Sequence, residues 1–308
     1  MFKRISLFIL TNLAIMVAIN AVLALLAAFG IFDAAKAMGG SYGPLMVMSV
    51  VVGFSGSFIS LLASKWMAKW STGAQVIDAP RNDTERWLVD TVARHANRAG
   101  IKMPEVAIYD APEMNAFATG PSRNNSLVAV STGLMRQMQR DEVDAVLGHE
   151  IAHVANGDMV TLTLIQGVLN TFVFFFSRII GNLVDSMLRS RDDDRERGPG
   201  IGYWVATFVA EIVLGILAML IVQWFSRRRE FRADEGGASL AGRDAMVSAL
   251  RRLSQGQESN LPDSMAAFGI SPKRSGFGAL FSSHPPIEER IARLQQSPPL
   301  GAPTRTPA

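Results

Sequence analysis

The chain contains no cysteine and only four histidines in 308 residues. Without cysteine there is no disulfide framework and no thiolate to bind a metal, and this absence agrees with a reducing compartment. The sequence also lacks a recognisable nucleic-acid-binding module, so nucleic acid is not an expected partner. Any metal site must therefore be built from histidine and carboxylate side chains.

Two of the four histidines lie in one short motif, His149-Glu150-Ile151-Ala152-His153. In an α-helix, residues four positions apart lie one turn above each other, so both imidazoles can reach a single ion at about 2.0–2.1 Å. Glu150 is rotated by about 100° from His149, which lets it meet a water at the metal without binding the metal itself. The motif predicts a zinc site with Glu150 as general base. The alternative is a helix that merely carries two histidines.

A catalytic zinc needs a third protein ligand besides the histidine pair. The metzincin continuation HExxHxxGxxH fails here, because Asn156 and Met159 occupy the required glycine and histidine positions. Glu230 is the strongest candidate, since Asp234 one helical turn later can accept the second ring N–H of a ligating histidine. Asp158 is the competitor, but it follows the histidine pair so closely that a supporting or capping role is expected.

Long uncharged runs indicate an integral membrane protein. Hydrophobic residues make up 49% of the chain, and residues 5–29 are long enough to cross a bilayer of about 30 Å. A signal peptide is the alternative for this run, but its apolar region would be only about 7–15 residues long. Residues 44–63 form a second uncharged run, so a transmembrane hairpin is predicted. An interfacial belt is predicted to follow it, formed by Lys65, Trp66, Lys69 and Trp70.

The basic residues flanking this hairpin predict its orientation. Lys3, Arg4, Lys65 and Lys69 lie outside the two runs and Lys36 lies between them, so the positive-inside rule places both ends in the cytoplasm.

Two further apolar runs, 159–180 and 201–225, separate the histidine motif from Glu230, with a charged loop at 189–200 between them. Because both parts of the site must reach one ion, the chain between them crosses the membrane either twice or not at all. Two crossings are preferred, since the second run contains only Glu211 as a charged residue and ends in a run of three arginines. A tilted or partly inserted pair is the alternative.

The remaining segments predict a small α+β domain. Helices are expected at 83–99 and 242–255, and strands at 105–110, 115–120 and 126–132. His95 on the first helix is expected to be a surface or hydrogen-bonded histidine. One strand segment is expected to bind substrate by main-chain hydrogen bonds: Asn115, Ala116, Phe117 and Ala118. A purely structural role for this segment is the equal alternative.

His284 precedes a proline pair, which restricts the backbone and starts a short helix. From this rigid turn His284 can donate a hydrogen bond to a developing oxyanion, although a surface histidine is the alternative. The proline-rich end at 297–308 has too little apolar content to pack.

The motifs HEIAH, EFRAD and SHPPIEERI, together with NAFATG at 115–120 and NGD at 156–158, resemble the HtpX family of membrane zinc metalloproteases, relatives of the CAAX-type prenyl proteases. The resemblance extends from the N-terminal hairpin to about Leu294. It implies one zinc per chain and cytoplasmic-side cleavage of membrane proteins in quality control and stress response. The implied site has His149, His153 and Glu230 as ligands, Glu150 as the catalytic residue, and support from Asp234, His284 and Arg290.

The expected fold is mainly α with a small β-sheet, an α+β zincin-like protease domain combined with transmembrane helices. The expected parts are a transmembrane hairpin (1–70), the first protease segment (71–158), a second transmembrane or partly inserted hairpin (159–225), the second protease segment (226–295) and a disordered tail (296–308).

The expected activity is that of a multi-pass inner-membrane zinc metalloendopeptidase whose protease domain faces the cytoplasm. Its expected partners are protein or peptide substrates and the lipid bilayer. The sequence leaves the oligomeric state open, including a homo-oligomer. Processing of prenylated peptides is one alternative. A membrane scaffold or chaperone with a structural zinc is another, although structural zinc is normally closed by four ligands.

Overall fold

The computed structural model describes residues 43–188, 199–255 and 284–296. The predicted span at 5–29 and the predicted tail at 297–308 lie outside the described residues, as does most of the predicted loop at 189–200. The chain divides into two compact units. Of the described residues, the apolar unit contains 43–59, 163–188 and 199–222, and the sheet unit contains 60–162, 223–255 and 284–296.

Eight helices and four strands lie within the described ranges. In chain order they are α1 (Gly43–Thr72), β1 (Gln75–Val76), α2 (Asp83–Arg98), β2 (Glu105–Tyr109), β3 (Ala116–Ser122), β4 (Asn125–Ser131), α3 (Thr132–Gln137), α4 (Arg140–Asn156), α5 (Asp158–Leu188), α6 (Ile201–Ala241), α7 (Arg243–Ser254) and α8 (Ile287–Gln296).

The sheet unit contains one mixed four-stranded sheet in the order β1-β2-β4-β3. Strands β2 and β4 are parallel, whereas β1 pairs with β2 and β3 pairs with β4 in antiparallel fashion. Strand β3 is therefore an edge strand. Helix α4 packs against β3, α2 and α7, and α7 packs against α8. The predicted fold class, mainly helical with a small sheet, is confirmed.

Local sequence signals explain the helices that hold the sheet unit together. Asn82 accepts a hydrogen bond from the Glu85 N–H and caps α2, and Gly100 ends that region with a φ of 64°. Leu88, Val92 and Ala96 recur at helical spacing on the buried side of α2.

His95 belongs to the same buried side of α2. The His95 ring donates from Nε2 to Asp144 Oδ1 on α4 at 2.7 Å, so it is a hydrogen-bonded core histidine. One of the two roles predicted for it, the hydrogen-bonded one, is confirmed.

Helices α1, α5 and α6 are each long and apolar enough to cross a bilayer. In the apolar unit, much of their surface consists of large hydrophobic side chains. On α6, Ile201, Val205 and Phe208 are 83%, 57% and 63% exposed. Exposed apolar surface of this extent is stable in lipid rather than in water.

Close helix packing and partly buried polar contacts hold the apolar unit together. A Cβ at Gly53 would lie 2.5 Å from the Thr171 backbone nitrogen, so α1 and α5 can meet there only through glycine. Asn170 Nδ2 donates to Ser57 Oγ at 3.3 Å. The Arg178 guanidinium on α5 pairs with the Glu211 carboxylate on α6. Glu211, the one charged residue of the predicted span 201–225, is thus a hydrogen-bonded glutamate.

Two helices continue past the ends of the predicted spans. Helix α1 continues to Thr72, nine residues past the predicted span, and Lys65 and Lys69 on this extension pair with Glu105 at 2.6 and 2.8 Å. These lysines therefore serve a protein contact rather than only a lipid interface. Helix α6 runs unbroken for 41 residues through the predicted boundary at 225, because a run of arginines changes charge but does not end a helix.

Candidate metal site

Helix α4 presents the histidine motif from the centre of the sheet unit. Gln139 and Glu142 form a capping box at its start, and Gly157 ends it in the left-handed conformation with a φ of 67°. His149 and His153 lie one turn apart on the same face. His149 is almost completely buried, whereas 13% of the His153 side chain is exposed, so His153 is the side from which solvent reaches the motif.

Small residues let α6 approach α4 closely. A Cβ at Gly236 would lie 2.5 Å from the Ala152 Cβ, and a Cβ at Gly237 would lie 3.0 Å from the His149 backbone nitrogen. Any larger residue at these two positions would push the helices apart. The glycine pair therefore sets the spacing that brings Glu230, two turns earlier on α6, to the histidines.

Three side chains converge on one point between α4 and α6. The Nε2 atoms of His149 and His153 are 3.1 Å apart, and they lie 3.5 and 3.3 Å from the two carboxylate oxygens of Glu230. Ligands at about 2.0–2.1 Å from a tetrahedral zinc are about 3.4 Å apart, so these spacings match such a set. Among the described residues, His149, His153 and Glu230 form the group whose ligand atoms lie close enough together to hold one metal ion.

The opposite ring nitrogens explain why the two Nε2 atoms face each other. His153 Nδ1 donates to Asp158 Oδ2 at 2.7 Å. His149 Nδ1 lies 3.0 Å from Asp234 Oδ1, an ion-pair contact that departs from ideal hydrogen-bond direction. With the ring protons on Nδ1, both Nε2 lone pairs point to the same place, an arrangement that a cation between them would stabilise. These residues therefore fit a divalent metal.

A second layer of contacts supports Glu230 and Asp234. Arg290 on α8 is fully buried and donates to both oxygens of Asp234, at 2.8 and 2.6 Å, and its Nη2 lies 3.6 Å from Glu230. His284 Nδ1 donates to Glu230 Oε2 at 2.7 Å. The segment that begins with the predicted histidine and proline pair thus contacts both acidic residues of α6.

Charge at the site is dominated by carboxylates. Burial raises the pKa of Glu230, but His284, His153 and His149 outweigh it and hold the pKa well below its ordinary value. Burial lowers the pKa of His153, but Glu230 and Asp158 raise it to about 10. Without a metal, the site therefore binds protons in place of the cation, and metal binding releases them.

Glu150 lies beside the edge strand rather than within the ligand set. It is 2% exposed, and its carboxylate accepts a hydrogen bond from the Ala118 backbone N–H of β3. Burial raises the pKa of Glu150 above its ordinary value, although His149 and His153 partly counteract this. A buried carboxyl with a raised pKa that lies next to a ligand pair is suited to proton transfer.

The structure brings together all of the predicted acidic and histidine residues of the site. The predicted strand segment at Asn115, Ala116, Phe117 and Ala118 also reaches it, because Ala118 lies on the edge strand and contacts Glu150. The side chains of this segment are buried, so a substrate can meet it only through its main chain.

The sequence pattern did not predict the position of Arg229, which belongs to a basic run next to a predicted span. Arg229 is buried and directly precedes Glu230 on α6. Helical phase was the available signal, since Arg229 lies three residues after the buried Ser226 and four before the buried Ala233.

Comparison with known proteins agrees with this geometry. Residues 82–297 match the Peptidase family M48. The chain is 59% identical over 297 residues to a Protease HtpX homolog from Nitrosomonas eutropha, covering 96% of this chain and 100% of the relative. It is 58% identical over 298 residues to Protease HtpX from Alkalilimnicola ehrlichii, covering 96% and 98% of the two chains.

Among solved structures, the chain is similar to Ste24p of S. mikatae, with a TM-score of 0.56 and 16% identity. The alignment covers 93% of this chain and 66% of that chain, and at this identity it supports the fold alone. The match to most of the chain and the identity to full-length HtpX proteases lead to one conclusion: the chain belongs to peptidase family M48 and is a membrane metalloprotease.

Proposed function

We propose that this metalloprotease is a zinc-dependent endopeptidase that cleaves membrane or misfolded proteins on the cytoplasmic side of the inner membrane. His149, His153 and Glu230 would hold the zinc. The observation that carries this proposal is the convergence of their ligand atoms at 3.1 to 3.5 Å, with each Nδ1 close to a separate carboxylate.

Bound zinc supplies a Lewis acid that lowers the pKa of a water towards about 7 and polarises the peptide carbonyl. Glu150 takes the proton of the attacking water and delivers it to the leaving amine, for which its raised pKa and its position beside the ligands are suited. The Ala118 N–H orients the Glu150 carboxylate. The same contact places Glu150 at the outer edge of β3, where an added substrate strand would pass.

The supporting residues keep the ligands in place. Asp158 and Asp234 fix the ring orientations of His153 and His149, as carboxylates commonly do for metal-binding histidines. Arg290 offsets the charge of Asp234. His284 holds Glu230 through Nδ1, and we propose that the same ring stabilises the oxyanion.

The proposed topology follows from the position of the ligands in the sequence. The chain between His153 and Glu230 contains α5 and the apolar part of α6, both long enough to span a bilayer. Two crossings return the chain to the side from which it started. We therefore propose a protease domain formed by 71–158 and 226–295, with 1–70 and 159–225 as hairpins in the membrane.

Replacing Glu150 tests this mechanism. Glu150→Gln removes the proton acceptor but keeps the shape of the side chain, so we expect zinc to remain bound and cleavage to fall by about a hundredfold to ten-thousandfold. The measurement combines zinc content with cleavage of casein by the full-length protein in detergent, with and without chelator. Asp141→Asn is the matched control, because Asp141 is an exposed acid on the same helix.

Near-normal cleavage by Glu150→Gln would rule out the general-base role. A protein that binds zinc but cleaves nothing in its wild-type form would favour the scaffold or chaperone alternative.

A further inference from the structure

Three consecutive arginines on α6 lie in different surroundings. Arg228 is exposed and its guanidinium stacks 4.2 Å from the ring centre of Trp224. Arg229, the next residue, is only 6% exposed and lies on the inward side of the helix that also contains Ser226 and Ala233. Arg228 is therefore suited to the lipid interface, but Arg229 is not available for lipid headgroups.

The polar atoms of Arg229 have few partners. Its Nη2 donates to Ser226 Oγ at 2.9 Å, and its buried Nε has no hydrogen-bond acceptor. Within the described part of the chain, no carboxylate oxygen lies within ion-pair distance of Arg229. Arg290, the other buried arginine of the site, instead binds Asp234 through two nitrogens.

A buried guanidinium of this kind needs an explanation. Arginine stays charged, and removing a charge and its donors from water is unfavourable unless other groups replace the water. Burial lowers the pKa of Arg229, and the acids that counteract this are Glu230 and Asp158, followed by Glu150. Geometry places Arg229 at the site: it directly precedes Glu230 and lies two turns before Gly236, whose Cβ position meets Ala152 next to His153. Among the described residues, its guanidinium bonds to Ser226 and to none of the proposed ligands.

We propose that Arg229 is a substrate-binding residue, whose guanidinium donates hydrogen bonds to an oxygen acceptor of the peptide bound at the metal site. This inference rests on the proposed peptidase function. The acceptor is either a main-chain carbonyl near the scissile bond or the carboxylate of an acidic side chain there. Both accept from the planar guanidinium, and a carboxylate does so most strongly.

The competing role for Arg229 is charge balance alone. Glu230 shares His153 with Asp158 and Arg290 with Asp234, and Glu150 lies on the same helix as His153, so a nearby positive charge lowers the mutual repulsion of these acids. Charge balance depends on the charge but not on the shape of the donor group. A lysine would therefore replace arginine fully in that role, but only in part as a forked hydrogen-bond donor.

The test compares Arg229→Met and Arg229→Lys with the control Arg228→Met in the zinc-loaded, full-length protein. Substrates are two fluorogenic peptides that differ only by Glu or Gln next to the cleaved bond. We expect kcat/KM to fall about tenfold to a hundredfold in Arg229→Met and less in Arg229→Lys, with zinc content unchanged. Binding of the same peptides to Glu150→Gln, with and without Arg229→Met, gives a readout independent of turnover.

The outcomes separate the possibilities. A loss confined to the Glu peptide assigns the acceptor to an acidic side chain, and an equal loss for both peptides assigns it to the main chain. Wild-type kcat/KM in Arg229→Lys, unchanged kinetics in Arg229→Met, or loss of zinc from Arg229→Met would each overturn the proposal. Failure of the wild-type protein itself to cleave any peptide would refute the proposed function instead.

Discussion

Helix α6 carries two glutamates in contrasting regions of the molecule. Among the described residues, Glu211 of the apolar unit pairs with Arg178 alone, and the two side chains are 39% and 23% exposed. Glu230, in the sheet unit, is almost completely buried and lies within 3.6 Å of three histidines and Arg290. Glu211 thus links two helices through a single cation, whereas Glu230 is held by His284 and also faces the Nε2 atoms of His149 and His153, as a shared metal ligand would.

Replacing the arginine near each glutamate should give the largest contrast in stability; near Glu230 this arginine is Arg290, which binds Asp234. Arg290→Met would leave Asp234 buried without its bidentate partner, which we expect to destabilise the sheet unit by about 3–5 kcal/mol. Arg178→Met removes the partner of Glu211 and should cost only about 0.6 kcal/mol in a membrane setting. Hydrogen–deuterium exchange in detergent reports the two units separately, and equal loss of protection in both variants would contradict the contrast.

Two glycines of α6 are expected to differ in their effect on zinc affinity, and this effect is of intermediate size. Gly236→Ala places a Cβ 2.5 Å from the Ala152 Cβ, so α4 and α6 must move apart, whereas a Cβ at Gly215 meets nothing within 4 Å. Overpacking of this kind costs about 1–3 kcal/mol, so we expect Gly236→Ala to weaken zinc binding by about tenfold or more. Gly215→Ala should leave zinc affinity unchanged.

Competition with a chelator of known zinc affinity measures both glycine variants. Unchanged affinity in Gly236→Ala would show that close packing of α4 and α6 is not needed for the ligand set.

Replacing a third glutamate, Glu105, is expected to have the smallest effect on stability. Burial alone would raise the pKa of Glu105, but Lys65 and Lys69 hold it below its ordinary value. Because the folded-state pKa is lowered, this stabilisation is present above the unfolded-state pKa and is lost as the pH falls through the folded-state value.

We expect Glu105→Gln to cost less than about 1 kcal/mol near neutral pH, since the pair is partly exposed. Its difference from wild type should disappear in acid, as followed by thermal unfolding of the sheet unit. A difference in stability that grew as the pH fell would contradict the stabilisation of the ionised Glu105 by the two lysines.

The sequence was sufficient for the parts of the site that depend on helical spacing. His149, His153 and Glu150 are local to one helix, and Asp234 follows Glu230 by one turn, so their relative positions follow from geometry. The strands at 105–110 and 126–132 were likewise predictable, because apolar residues run between turn signals.

Other features depended on contacts between distant segments. The hydrogen bond between His95 and Asp144 joins two helices, and nothing local to His95 indicates its partner. The two-residue strand β1 is too short for a pattern and exists only through pairing with β2. Arg229 belongs to a basic run that is typical of a membrane border, and only the packing of α6 separates it from Arg228.

The most direct test of the account is the zinc content of two matched variants of α6. Glu230→Gln and Glu211→Gln make the same chemical change on one helix, so differences in expression or detergent binding are minimised. We predict about one zinc per chain in the wild type and in Glu211→Gln, and almost none in Glu230→Gln, as measured by mass spectrometry of the elements after dialysis. Full zinc occupancy in Glu230→Gln would contradict the assignment of Glu230 as the third ligand.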